Sequence, residues 1–138
     1  MLSVLWLALG LFLGVAFVRF ARRKGSESEL FVFAVGLVVA ALIYVGFAMV
    51  GGEPRWMVVE VAGAVLFGLL ALAGLRVWSL LVAIGWVAHV AWDVGLHLVT
   101  PRSFVGAWYP TLCVSFDLVV AGYVVCSVAQ AQAQREAA

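Results

Sequence analysis

The stretch Leu30–Val50, LFVFAVGLVVAALIYVGFAMV, runs for 21 residues without a charged side chain. A helix rising 1.5 Å per residue crosses the roughly 30 Å hydrocarbon core of a bilayer in about 20 residues, so this segment has the length of one crossing. Comparable apolar runs lie on either side of it: Leu2 to Phe20, about Trp56 to Leu75, about Val77 to Val99 and about Trp108 to Ala129. The chain as a whole is 67% hydrophobic and 11% charged, with a mean hydropathy of +1.19. Soluble domains carry roughly a quarter charged residues, so water is the wrong solvent for this surface. The expected fold is all-α, an integral membrane bundle of about five transmembrane helices. Residues 1–138 form a single transmembrane domain, with spans about 2–20, 30–50, 56–75, 77–99 and 108–129, and leave no room for a separate soluble domain.

The connections are short and carry turn chemistry. Gly25-Ser26-Glu27-Ser28-Glu29 follows the first span, and Ser26 or Ser28 is placed to cap a helix starting near Leu30. Gly51-Gly52-Glu53-Pro54-Arg55 breaks the chain between the second and third spans, Arg76 marks a hairpin, and Thr100-Pro101 stops the fourth. The first span precedes its basic cluster, Arg19, Arg22, Arg23 and Lys24, which is the reverse of a secretory signal peptide, so it is read as a retained span. Cytoplasmic connections carry the Lys and Arg excess. With five spans, six basic residues (Arg19, Arg22, Arg23, Lys24, Arg76 and Arg135) fall on one side and two (Arg55 and Arg102) on the other. The expected location is a bacterial cytoplasmic (inner) membrane, multipass, with the N-terminus extracytoplasmic and the C-terminus cytoplasmic.

A net charge of +1 with scattered basic residues offers no patch for a phosphate backbone. Membrane lipid is the expected partner and nucleic acid is not. Small residues spaced four apart, Gly10 with Gly14 and Gly36 with Ala40, suit close helix approach, either within the bundle or in a homo-oligomer. Cys113 and Cys126 share one span but face different ways, which reads as two small buried residues rather than a disulfide.

The ionisable residues inside the spans carry the functional signal. Glu60, Asp93, Asp117, His89 and His97 all fall there, with no Lys or Arg beside them in mid-span. Each carboxylate at the bilayer centre costs about 2.5 to 3.5 kcal/mol, so three cost roughly 8 to 10, comparable to a protein's whole net stability. Protons, hydrogen bonds or a bound cation must offset that. His89, Asp93 and His97 stand at i, i+4 and i+8, a stripe about 80° wide on one helix. Because successive helices alternate in direction, Glu60 lies about four residues in from the same membrane face, His97 about two, Asp93 about six, and His89 and Asp117 about nine or ten. All five therefore occupy one half of the bilayer. Two imidazoles and three carboxylates suit Zn²⁺, Fe²⁺ or Mn²⁺. His89, Asp93, His97 and Asp117 are the expected metal ligands, Glu60 the expected catalytic base, and Trp86 and Cys113 the expected pocket wall. The competing explanation for the same groups is interhelical hydrogen bonding. Trp56, Trp108 and Tyr109 near the same face read as an interfacial aromatic belt.

Gly85-Trp86-Val87-Ala88-His89-Val90-Ala91-Trp92-Asp93, followed by Trp108-Tyr109-Pro110, Cys113 and Asp117, resembles the signature G-W-x-x-H-x-x-W-D and W-Y-P-x-x-C-x-x-x-D of a family of small bacterial multipass membrane proteins of unknown function. The resemblance covers the last two spans, about a third of the chain. It implies a small integral membrane protein and supplies no reaction, substrate or cofactor. The function expected from the residues is a metal-dependent hydrolase acting on a lipid-like substrate. Proton or divalent-cation transport and a non-catalytic membrane subunit with a hydrogen-bonded polar core are the alternatives.

Overall fold

The computed structural model describes residues 2–137, apart from the side chains of Leu2, Ser26 and Glu27. Among the described residues it contains five membrane-length apolar helices and no strand, and the protein is an all-α multipass membrane protein. They are α1 (Leu2–Arg22), α2 (Ser26–Val50), α3 (Pro54–Arg76), α4 (Leu80–Trp92, continued as a π-helical segment over Asp93–Leu98) and α5 (Trp108–Glu136).

Local chemistry sets these bounds. Gly25, at φ +89°, occupies backbone space that favours glycine, and its carbonyl accepts the N–H groups of Ser28 and Glu29 at 3.1 and 3.0 Å. The helix thus begins four residues before the expected start, with Gly25 flanking it and Ser28 inside its first turn rather than at a cap; the Ser26 side chain lies outside the described residues. Pro54 opens α3, where its missing N–H has no intrahelical role. The Arg76 hairpin is three residues long, and Gly74 lets Leu81 and Val82 close against α3. α5 runs through the stretch expected to be a polar tail, because QAQAQRE consists of good helix formers without Gly or Pro.

α1 packs chiefly against α5, α2 against α3, and α4 against α5 and α3, while α1 and α2 touch only lightly. The bundle interior divides along its axis. At the end formed by the close of α1 and the start of α2, the core is apolar: Phe33, Leu37, Phe67, Ala71, Val82, Trp86, Val120 and Val124. At the opposite end it is polar, and Glu60, His89, Asp93, His97 and Asp117 are each at most 1% exposed. The outer surface carries Leu5, Phe12, Phe31, Val58 and Leu69, each more than half exposed. Charge inside and hydrocarbon outside is the arrangement that lipid selects.

Water does not drive helices together within a bilayer, so close backbone packing must hold them. Gly10 and Gly14 provide it, since a Cβ at Gly10 would collide with the Leu112 carbonyl and Ser115 Oγ, and one at Gly14 would sit 3.1 Å from the Phe116 carbonyl. Ser115 Oγ, held by this approach, donates to the Leu7 carbonyl at 2.8 Å. The Gly10/Gly14 spacing therefore serves an internal interface. Gly36 instead makes room for the rings of Phe17 and Trp86. Gly10→Ala should cost about 1 to 3 kcal/mol by overpacking against α5 backbone that cannot yield. Gly46→Ala, which meets open space, should leave the thermal transition in detergent unchanged.

Candidate functional site

Four helices build the polar half. α4 contributes His89 and Asp93 one turn apart, and α5 brings Asp117 to them. His89 Nδ1 lies 2.8 Å from Asp117 Oδ2 and 3.6 Å from Asp93 Oδ2. One ligand atom from each of the three falls within 4.8 Å of the others, making a group able to hold a metal ion. A tetrahedral Zn²⁺ with bonds of 2.0–2.2 Å separates its ligands by about 3.4 Å. Small side-chain adjustments would bring the three to that spacing. Neutral imidazole with two aspartates carries a formal charge of −2, which one divalent cation cancels.

His97 is not part of this group. From Asp93 onward the helix bonds i→i+5, as in Val99 N–H to the Val94 carbonyl at 2.8 Å, so the turn is wider than an α-turn. The regular i, i+4, i+8 stripe ends at Asp93, and His97 is carried across to α3. Its Nε2 lies 3.2 Å from Glu60 Oε1, without hydrogen-bond alignment. Glu60 is not a hydrated interfacial carboxylate, because it is 1% exposed and Trp92 Nε1 donates to its Oε2 at 3.1 Å. The Trp92 ring reaches it across Gly63, where a Cβ would stand 2.7 Å from the indole. Five residues expected in one site thus form two groups in one buried layer: His89, Asp93 and Asp117, and beside them Glu60 with His97.

Tyr44 of α2 links the two. Its ring stacks on His97 at 4.3 Å between centroids and lies 5.9 Å from His89. Phe67 presents its ring to His89 at 5.0 Å in an edge-on arrangement. Glu60 and His89 face one narrow space walled by Tyr44, Phe67 and Trp92, too small to admit a water molecule. Around it, eight buried polar atoms lack a hydrogen-bond partner: Tyr44 Oη, Glu60 Oε1, His89 Nε2, both Asp93 oxygens, both His97 nitrogens and Asp117 Oδ1. The only signal for Tyr44 in the sequence was a phenol in an otherwise apolar span, six residues from its end.

Trp86 is spoken for by packing on one edge, where its Nε1 donates to the Phe33 carbonyl at 3.2 Å. Its other edge and Cys113 line a cleft of about 250 Å³ between α1, α2 and α5, shared with Phe17, Ala40 and Tyr109. Cys113 is buried but Cys126 is exposed on the outer surface, against the expectation that both are internal; both are free thiols. Trp56 and Trp108 lie near the membrane face, partly exposed. Removing the indole donor with Trp92→Phe should leave the Glu60 carboxylate short of its one aligned bond and cost about 1 to 3 kcal/mol. A double-mutant cycle with Glu60→Gln, followed by unfolding in detergent, should show the two effects coupled.

A family model described as "Family of unknown function (DUF6010)" matches residues 5–131. No curated protein and no solved structure matches the chain. With nearly its whole length matched, including both polar groups, the chain belongs to the DUF6010 family of unknown function.

Proposed function

We propose that this protein is a membrane-embedded metal-dependent hydrolase. In this reading His89, Asp93 and Asp117 hold one divalent ion, zinc, iron or manganese, and Glu60 acts as the base on a lipid-like substrate. The observation that carries it is the set of unpartnered nitrogen and oxygen atoms around a −2 charge, sealed from water and without a cationic side chain. Each such atom costs several kcal/mol in an apolar medium unless something binds it. Three protein ligands leave a coordination position open, as catalytic zinc sites do, and a bound divalent ion supplies a water or hydroxide of lowered pKa.

The chain's own residues fit the remaining roles. Glu60 and His89 line the same narrow space, and His97 stands 3.2 Å from Glu60 to receive a proton from it or steady the carboxylate. The cleft between α1 and α2 supports a substrate arriving from the bilayer. Tyr109 on its wall lies 5.3 Å from Tyr44, which stacks on His97, so a chain of three rings runs from the cleft to the site. The excess of basic residues at the opposite end of the bundle supports a site in the extracytoplasmic half of a bacterial inner membrane, with the C-terminus in the cytoplasm.

Metal analysis of the purified protein tests this. Wild type should carry about one ion per chain, and His89→Ala and Asp117→Asn should each reduce that at least fivefold, while Cys126→Ser, on the outer surface, should not. A folded, metal-free wild type would remove the reading. Glu60→Gln should retain its ion yet lower turnover of a fluorogenic phospholipid ester by about 10²- to 10⁴-fold. Chelation should lower the thermal transition of wild type and leave His89→Ala unmoved. Transport is the outcome if Asp93→Asn abolishes ion flux in liposomes whose ester turnover is nil.

A further inference from the structure

Arg102, in the connection from α4 to α5, is an oddity on a membrane face that carries one other basic residue, Arg55. It is half-buried, whereas Arg55 is exposed. Its guanidinium lies 3.7 Å above the Trp56 ring. Its Nη2 donates to Thr100 Oγ1 at 3.1 Å, and Thr100 in turn donates to the Gly95 and Leu96 carbonyls at the end of the π-helical segment. Two supports therefore fix the fork, one aromatic and one polar. No carboxylate comes within 4.0 Å of it among the described residues, where every close ion pair involves His89 or His97. Its Nε is buried and has no partner.

Its position relates it to the site. Trp56 precedes Glu60 by four residues on α3, about 6 Å along the helix, so the guanidinium over its ring stands about one turn toward the membrane surface from the Glu60 and His97 pair. Phe104 fills the space between, 6.2 Å from Trp56 and 6.3 Å edge-on to His97.

We propose that Arg102 is an oxyanion-binding residue that takes the phosphate of a phospholipid headgroup above the buried centre. An arginine fork recognises phosphate through paired N–H groups, and the stacked indole and the Thr100 bond hold it in place before the ligand arrives. A headgroup at this height leaves its ester linkages at the depth of Glu60 and its chains in the hydrocarbon. The naming of a phospholipid as substrate rests on the hydrolase reading above; the binding itself does not.

Native mass spectrometry of the intact protein in detergent, with phosphatidylglycerol or phosphatidylcholine at matched concentrations, tests it. Wild type should retain both lipids, since both carry the phosphate, and Arg102→Gln should retain each about tenfold less. Arg102→Lys keeps the charge and so the fold, but a point charge cannot reproduce the fork, and it should fall severalfold below wild type. Arg55→Gln should change retention less than twofold. Equal retention by wild type and both Arg102 variants overturns the proposal, and so does an equal loss in Arg55→Gln, which marks a diffuse charge effect. Displacement of the lipid by equimolar inorganic phosphate supports the oxyanion site with free phosphate as its source; resistance to it supports the headgroup. Metal content measured on the same samples should match wild type in Arg102→Gln. Arg102-dependent lipid retention in a metal-free protein would remove the hydrolase reading and leave this site standing.

Discussion

The polar half of this bundle is governed by one constraint: acids buried among helices in hydrocarbon, with no lysine or arginine to answer them. Glu60, Asp93 and Asp117 come from three different helices, and among the described residues their only close ionic partners are two imidazoles. Such groups repel one another unless protons or a cation hold them, so whatever neutralises them also ties α3, α4 and α5 together. Stability and chemistry are linked at this point. The apolar half around Phe33, Phe67, Val82 and Val120 supplies ordinary packing, while the polar half needs its buried charge offset.

The π-helical turn at the end of α4 decides how that half is divided. An unbroken α-helix would have stacked His89, Asp93 and His97 in one stripe. Widening the turn at Asp93 sends His97 to Glu60 and keeps His89 and Asp93 with Asp117. The same turn ends where Thr100 accepts its bond from Arg102, so the polar groups and the basic residue above them share one irregular piece of backbone. Such irregularity is tolerated at membrane depth when protein buries it, and π-turns gather at functional sites.

Much of this was readable from the residue string. Five apolar runs of crossing length, punctuated by Gly, Pro and charge, specify five helices because the bilayer leaves the backbone few alternatives. The common depth of Glu60, His89, Asp93, His97 and Asp117 followed from alternating helix direction and a rise of 1.5 Å per residue. What depended on side-chain contact was not readable. A 3.6-residue period cannot foresee a π-turn with no proline to announce it. Nor does composition reveal that Trp56, expected in an aromatic belt, carries a guanidinium, or that Tyr44 lies flat on His97. The depth of Glu60 could be read from its place in the third span, but not that Trp92, crossing Gly63, seals it.

The seating of α1 on α5 bears on how the molecule is put together. The first of these five helices finds its main neighbour in the fifth, and its next neighbour in sequence, α2, offers it little. Gly10 and Gly14 are shaped for the backbone of Leu112 and Phe116, residues that emerge from the ribosome about a hundred positions later. During biosynthesis α1 must therefore wait in lipid without its main neighbour while α2 to α4 insert, and the ring closes only when α5 reaches α1.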